Sequence, residues 1–488
     1  MDVLRELRTF VEDRKSSLEW RREQLEILRQ AMIDEKDAMC EALQTDLCVD
    51  SSQATILQIG SIFGEIDTCL DGMTKWSALR PVATPLALQP AQSYVQYQPK
   101  GVVLVLGAWN YPFNVTLGPV ICALAAGNCV VVKPSEQASE SAKAMERMLG
   151  KLDQRAVRCV LGGQEVSENL IKQPFDHIVY TGGPRVAKLV LAAAAPNLTP
   201  VTLELGGKSP VIIMKGTNLV EACRRISCHK FTNTGQTCIA PDYVLVHQDV
   251  RDEVAKLLTE NVKAMFGASP ETAEHLGRMV HKNAADRLRT FLQEDHGGNV
   301  LFGGKFPDGF VREGHRYVPP TLILDPRKDA KVMEEELFGP ILPVVTVQSC
   351  SEAIEIVKSK PKPLALYIFA PKKETNDVIE ATSSGAVVMG DAMLHKGNPH
   401  LPFGGIGNSG MGRMHGEYGF REFSNERAVM NRPLFLPSPL SLPIPKPMVA
   451  AAWVYATSRP LKTMKKQAWK LLAVFLVLLS VYMRRGRR

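Results

Sequence analysis

The sequence predicts an α/β protein: two doubly wound α/β domains, a small bridging element, and a C-terminal membrane helix. Three observations predict it. First, Val102-Val-Leu-Val-Leu106 and Cys129-Val-Val-Val132 are short continuous apolar runs, the pattern of strands buried on both faces of a parallel sheet. Each ends in a polar turn before a helical stretch, and residues 157–161 and 177–180 repeat the cycle. Second, the cycle resumes between about 205 and 390, with Tyr243-Val-Leu-Val246 and Ala386-Val-Val-Met389 as strands. Third, residues 471–483 form an unbroken apolar or near-apolar run between basic flanks.

Ahead of these domains, Leu25, Leu28, Met32, Met39 and Leu43 recur at helical spacing, which predicts two amphipathic helices over 4–47. A third is expected over 56–76. Residues 80–98 alternate and contain proline, so they read as an extended, strand-like excursion. From Val102 the predicted order is strand, helix near 115–126, strand, and helix through Met148. The expected domains are 1–204, with 80–100 as a bridging excursion, and 205–395. Residues 396–431 are expected to return to the first domain. Prolines at 433, 437, 439, 443, 445 and 447 forbid regular helix or central strand, making 432–448 a linker. A basic amphipathic segment over 449–470, the anchor over 471–483 and a basic tail over 484–488 complete the chain.

With 488 residues, the chain is long enough to bury a large core, and 45% hydrophobic with 22% charged residues is ordinary for a globular enzyme. The net charge of +7 is misleading as a whole-chain figure. Twelve of the 58 basic residues and none of the 51 acidic ones follow Glu426. The body is therefore mildly acidic and the tail strongly basic, which argues against nucleic-acid binding. The ten cysteines contain no CxxC pair. Cys223 and Cys228 before His229 lack a second ligand pair, so no metal site is expected. Free thiols suit a reducing compartment, and the charged N-terminus is no secretory signal.

The chemistry concentrates in Phe231-Thr-Asn-Thr-Gly-Gln-Thr-Cys238-Ile-Ala-Pro-Asp-Tyr243 and Val201-Thr-Leu-Glu204-Leu-Gly-Gly-Lys-Ser-Pro210. Cys238 sits between two small-residue turns, with Gly235 permitting close backbone approach, a setting built for access rather than packing. A thiol nucleophile and a carboxylate 34 positions apart form the minimum set for acyl chemistry through a thioester. For the other nine cysteines the inert buried thiol is the better reading. Thr181-Gly182-Gly183-Pro184-Arg185-Val186-Ala187 follows a strand and opens a helix, the context of a dinucleotide-binding turn, although a purely structural turn has the same composition.

Both active segments resemble the two signatures of the NAD(P)-dependent aldehyde dehydrogenases, in particular the class 3 branch with its fatty aldehyde dehydrogenases. Gly107-Ala-Trp-Asn110-Tyr-Pro-Phe113, Lys133-Pro-Ser-Glu136, Glu335-Glu336-Leu-Phe338-Gly-Pro340 and Leu401-Pro-Phe-Gly-Gly-Ile-Gly-Asn-Ser-Gly-Met-Gly412 continue it in family order. The likeness runs from about Ser17 to Asn425. It implies a Rossmann-like cofactor domain and a catalytic domain with the site in the cleft between them.

The resemblance further implies Cys238 as nucleophile, Asn110 as oxyanion donor and Glu204 as the base that activates water. The bland alternatives are an Asx turn for Asn110 and a salt bridge with Lys208 for Glu204. Lys133 and Glu136 would hold the adenosine ribose. The carboxylate there would repel a 2′-phosphate, so NAD is expected over NADP. Residues 182–187 would carry the pyrophosphate, although Pro184 and Ala187 stand where the family commonly has a hydroxyl residue and glycine. Glu336 and Phe338 would hold the nicotinamide ribose and ring. Trp109, Tyr111, Tyr243 and Phe403 are candidates for the substrate tunnel and His395 for its mouth, with plain core packing as the alternative. A homodimer is also implied.

The run 471–483 covers roughly 20 Å as a helix, short of a hydrocarbon core of about 30 Å. Yet it is apolar all round, follows a linker, and has lysine and arginine flanks that can snorkel. The fatty aldehyde dehydrogenases carry such a tail. The expectation is a membrane-anchored enzyme facing the cytosol, most readily at the endoplasmic reticulum, with peroxisomal or outer mitochondrial membranes as alternatives. The function read here is oxidation of medium- to long-chain aldehydes. A class 3 enzyme for soluble medium-chain or aromatic aldehydes, and a catalytically silent tethered scaffold, are the competing readings.

Overall fold

In a computed structural model, the structure describes residues 2–13, 15–85, 88–273, 275–307, 309–310 and 315–434. The linker beyond 434, the basic segment, the anchor and the tail lie outside the described residues. Among the described residues no helix is long and apolar enough to cross a membrane. The described residues divide into two compact units, one within residues 2–76 and 99–424 and one within residues 77–98 and 425–434.

The larger unit begins with helices Asp2–Glu12, Leu18–Asp34 and Lys36–Leu47, three where the periodicity predicted two. Apolar spacing alone runs through the breaks; capping makes them. The Ser17 side chain accepts from the Trp20 N–H at 3.2 Å and starts a new helix. The third helix ends with Cys48 in the left-handed region at φ 55°. Asp50 then caps Ser51–Ala54, accepting from the amides of Ser52 and Gln53, both at 3.0 Å. A π-turn over Thr55–Ile59 joins this to Gly60–Ser77, so the predicted third helix starts earlier than its apolar pattern suggests.

Two sheets follow. The first has six strands in the order Gly410–Met411, Val201–Leu205, His177–Gly182, Val102–Leu106, Cys129–Lys133, Val157–Cys159. All pairs are parallel except the first, where Gly410 faces Glu204 antiparallel. Both predicted central strands are completely buried, as continuous apolar runs require. Helix Pro112–Ala125 carries proline in its first turn, where no amide partner is lost. Of the residues beyond 396, Gly410 and Met411 pair with the edge of this sheet.

The second sheet has seven strands: Asn299–Phe302, Thr321–Leu324, Ile341–Val347, Tyr243–His247, Pro210–Ile213, Ala365–Phe369, Ala386–Met389. Only the first pair is antiparallel. Its strands feed two separate cores by alternation. Val211, Ile213, Val244 and Val246 pack on one face, with Cys238 against that cluster. Ile212, Met214, Tyr243 and Leu245 pack on the other.

In the smaller unit, Arg80–Val82 pairs antiparallel with Gln92–Pro99, and Ser424–Asn431 completes a three-stranded sheet. Within the excursion over 80–98, residues 80–82 and 92–98 are strand and the described residues between them are not. The Arg427 guanidinium donates to Gln96 Oε1 at 3.1 Å across it.

Candidate active site

Cys238 stands on an irregular loop between helix Leu219–Phe231 and strand Tyr243–His247. Three consecutive residues, Asn233, Thr234 and Gly235, hold φ of 49°, 56° and 72°. For a β-branched threonine this conformation is strained, and such strain persists only where surroundings over-determine it. Here Asn233 Nδ2 donates to Asn110 O at 2.8 Å and to Gln236 O at 3.3 Å. Gln236 is fully buried, its side-chain amide donating to Arg278 O at 3.0 Å and its Oε1 accepting from the Val280 amide at 2.9 Å. The Tyr367 hydroxyl, from beneath, donates to Ile239 O. The loop is a braced arch, and Cys238 at its end remains half-buried rather than sealed.

Asn110 reaches the same arch. Its Nδ2 donates to Gln236 O at 3.1 Å, two residues before the thiol. An amide nitrogen has two protons, so one is left for an incoming oxyanion. The Asx-turn alternative does not describe the bonds observed: the side chain binds across 126 positions, to the thiol loop.

Glu204 ends strand Val201–Leu205 and is 8% exposed, and neither carboxyl oxygen has a hydrogen-bond partner. Burial pushes its pKa well above the usual carboxylate range; Arg413 opposes this and Glu422 adds to it. The Lys208 alternative fails, since that ammonium is bonded to Asp242 and to Val332 O and Glu335 O, both at 2.8 Å. A buried carboxyl with empty hydrogen-bonding positions beside a half-buried thiol is the arrangement a water-activating base requires.

Lys133, buried at the carboxyl end of its strand, pairs with Glu136. Helix Pro184–Ala194 begins after Gly183, whose missing side chain would meet nothing within 4 Å, so the approach to its N-terminus is open. Pro184 and Arg185 are exposed, Val186 half-buried and Ala187 buried. Gly182 has φ 158°, and a Cβ there would lie 2.2 Å from the Tyr180 hydroxyl. Glu336 lies against Gly206, where a Cβ would stand 2.1 Å from its Oε1. Burial raises the Glu336 pKa to about 8. Phe338, at φ 50°, meets the edge of Trp109 at 5.4 Å. An open helix N-terminus at Gly183, and a Glu336 carboxyl packed where a Cβ on Gly206 would stand, are features a dinucleotide could use.

The tunnel candidates separate. Tyr111 hydrogen-bonds Thr237 Oγ1 at 2.8 Å, next to the thiol, and burial keeps its phenol protonated. His395 stacks on Phe403 at 6.1 Å, and Phe403 on His415 at 5.2 Å. Phe403 packs against the same cluster as Cys238. Trp109 lies with Phe338 and His281 instead. Tyr243 is a correction: it is 1% exposed in the core on the opposite sheet face, beneath the ammoniums of Lys208 and Lys360. Strand alternation turns Tyr243 away from the face against which Cys238 packs, and adjacency in sequence concealed this.

Several contributors had no sequence signal of their own. Arg413 donates to Gly405 O at 2.6 Å and Gly412 O at 2.7 Å, fixing the glycine-rich loop beside Glu204. Asn233 and Gln236 lie inside the quoted thiol motif, but their roles depend on loop geometry. Lys396 donates to Asn114 Oδ1, and no motif marked it.

The aldehyde dehydrogenase family model matches residues 7–429. Aldehyde dehydrogenase family 3 member A2 of Rattus norvegicus is 42% identical over 427 residues, 87% of each chain. The dimeric NADP-preferring aldehyde dehydrogenase of Rattus norvegicus is 38% identical over 452 residues, 90% of this chain and 98% of its own. Among solved structures, the substrate-bound state of Staphylococcus aureus AldH has a TM-score of 0.88 at 37% identity, covering 93% of this chain and 98% of that one.

Proposed function

Because this chain belongs to the aldehyde dehydrogenase family and is an NAD(P)-dependent aldehyde dehydrogenase, we propose that it oxidises medium- to long-chain aliphatic aldehydes at a membrane surface. The observation that carries the chemistry is the convergence of a half-buried Cys238 thiol, the Asn110 amide and an unpartnered, buried Glu204 carboxyl. The Cys238 thiolate attacks the carbonyl carbon. The resulting alkoxide is held by the second Asn110 N–H and the Cys238 backbone N–H, preorganised donors worth roughly 3–4 kcal/mol each. A nicotinamide cofactor, which Glu336 and Phe338 would hold, would supply the hydride acceptor. Glu204 then takes a proton from water as it attacks the Cys238 thioester, which releases the acid and regenerates the thiol.

NAD is the proposed cofactor, since Glu136 places a carboxylate where a 2′-phosphate would sit. The substrate length rests on the likeness to the class 3 branch and on the apolar run 471–483, which would hold the enzyme where long-chain aldehydes partition. In this reading the enzyme faces the cytosol at the endoplasmic reticulum membrane. A homodimer is supported by the word dimeric in a relative's name and by exposed Val82 and Met430 on the three-stranded sheet.

Steady-state NADH production across aldehydes of increasing chain length tests the substrate, with full-length protein compared against a truncation after Arg459. Efficiency that rises with chain length only in the full-length form supports the reading. Equal long-chain kinetics in both forms, or release of the full-length protein by carbonate extraction, would remove the membrane from it.

A further inference from the structure

Two thiols and a carboxyl that the reaction does not use meet inside the larger unit. Glu65 and Cys69 lie one turn apart on the buried face of helix Gly60–Ser77, alongside Ile62, Ile66 and Met73. Cys122 faces them from helix Pro112–Ala125. All three side chains are buried. Glu65 Oε1 accepts from Cys122 Sγ at 3.2 Å and lies 4.0 Å from Cys69 Sγ. The two sulfurs and a carboxyl oxygen stand within 4.8 Å of one another. Among the described residues no other group of His, Cys, Asp or Glu side chains gathers three ligand atoms in this way.

The distances fit an ion. With separations of 3.2 and 4.0 Å and a third of at most 4.8 Å, a point equidistant from the three atoms is about 2.4 Å or less from each, against zinc–sulfur bonds of about 2.3 Å. The donor types fit as well. Two thiolates and a carboxylate suit a borderline-soft divalent cation, whereas calcium and magnesium take oxygen ligands. As plain core the cluster is poor. Burial raises the Glu65 pKa, and two weak S–H donors are slight compensation for taking a carboxyl out of water. Its firm bond is to the Gly416 amide at 2.7 Å, which orients the carboxyl from a third element as an outer-shell donor orients a metal ligand. Gly419, in the same short helix Gly416–Glu422, closes the other side of Cys122, since a Cβ there would stand 2.4 Å from Sγ. Three ionised ligands around a divalent ion leave one negative charge, and the cationic groups acting on Glu65 are Lys396 and His400.

We propose that Glu65, Cys69 and Cys122 form a structural site for a thiophilic divalent cation of the zinc class, which ties helix Gly60–Ser77 to helix Pro112–Ala125. On binding, each sulfur donates an electron pair to the ion. The displaced thiol protons leave to solvent, with that of Glu65 where it is held, and nothing is oxidised or reduced. A water or another exogenous donor takes the fourth position. The ion braces the helix that begins two residues after Asn110. Local cysteine spacing carries no sign of the site, because Cys122 lies 57 positions beyond Glu65. The proposal does not depend on Cys238 being the nucleophile.

The test is zinc binding by full-length protein carrying Cys238→Ala, which removes the catalytic thiol as a competing ligand. Reduced protein stripped with a chelator is titrated with zinc against a chromophoric chelator, and its Tm is followed with and without the metal. We expect about one zinc per chain and a Tm raised by about 2 °C or more at saturation. Kd should rise at least about tenfold in Glu65→Gln, which keeps an acceptor for the Gly416 amide, and at least about a hundredfold in Cys69→Ser and Cys122→Ser. The Tm shift needs no substitution in the cluster and Glu65→Gln is isosteric, so the two together decide the matter even where a serine variant fails to fold. Zinc that leaves the Tm of the Cys238→Ala chain unmoved, or a Kd that Glu65→Gln leaves unmoved, overturns the proposal. So does uptake by wild type that Cys238→Ala abolishes, which would put the ion at the catalytic thiol.

Discussion

Gly235 and Gly339 touch through their backbones: a Cβ on Gly235 would stand 2.3 Å from the carbonyl oxygen of Gly339. The contact joins the loop that carries Cys238 to the loop that carries Glu336 and Phe338, so the nucleophile and the nicotinamide-side residues share one backbone clamp. Gly235→Ala has to separate the two loops, and it also places a side chain at φ 72°. We expect kcat/KM to fall at least about a hundredfold, since displacements near 1 Å cost that much at a reacting centre. Thermal stability should fall by about 1–3 kcal/mol. Activity within twofold of wild type would mean the clamp is not what sets the distance between thiol and cofactor.

Cys238→Ala tests the nucleophile itself. The other cysteines are elsewhere, five of the ten being buried or exposed on distant elements such as Cys129 and Cys228, and none is bonded into the arch around Gln236. Aldehyde oxidation should vanish while NAD affinity, measured by fluorescence quenching or calorimetry, changes less than about threefold. Retained turnover would remove the thioester route altogether.

Glu204→Gln separates the two halves of the reaction. The thioester should form, giving a burst near one equivalent of NADH, and then hydrolyse slowly. In wild type the carboxyl must be ionised to accept a proton, and its pKa is held well above the usual range. Hydrolysis should therefore rise with pH above the usual carboxylate range, and this limb should be absent from Glu204→Gln. A missing burst with slowed hydride transfer would assign Glu204 to an earlier step.

The parts of this arrangement differ in how far they can be read from the chain. Val102–Leu106 and Cys129–Lys133 were legible because a strand buried on both faces must be apolar throughout. Cys238, Glu204 and Asn110 were legible because their flanking glycines and turns are unusual as strings. Tyr243 was misplaced because a strand's alternation decides which core a side chain enters, and the pattern of apolar residues on both faces gives no sign of it. The helix breaks at Ser17 and Asp50 depended on capping bonds within an apolar rhythm that runs on past them. Arg413 is an ordinary basic residue until the fold pairs Gly410 with Glu204 and brings its guanidinium to bear on that carboxyl.

Cofactor choice should turn on Glu136, whose carboxylate is exposed beside the buried Lys133 ammonium. Removing it in Glu136→Ser frees Lys133 to meet a 2′-phosphate. We expect the ratio of kcat/KM for NAD over NADP to drop by about tenfold or more, mostly through KM for NADP, in line with the few kcal/mol carried by a charge pair near a surface. An unchanged ratio would place the adenosine ribose elsewhere.

Glu336 gives a prediction about stability rather than rate. Its folded pKa of about 8 lies above the ordinary value of 4.5, chiefly through burial, although its carboxyl accepts from the Gly207 amide. Between those two values the native protein keeps a proton that the unfolded chain releases, so raising the pH through this window favours unfolding. A glutamine resembles the protonated carboxyl and cannot ionise, yet it still offers an acceptor to Gly207. The Tm of Glu336→Gln should match wild type near pH 5 and exceed it by a growing margin up to about pH 8, where the margin should level off. KM for NAD should rise in the same variant above about pH 8, where the wild-type carboxylate is charged and the glutamine is not. A margin independent of pH would show that Glu336 is ionised in the folded protein already at pH 5, with solvent or the Arg287 guanidinium offsetting its burial.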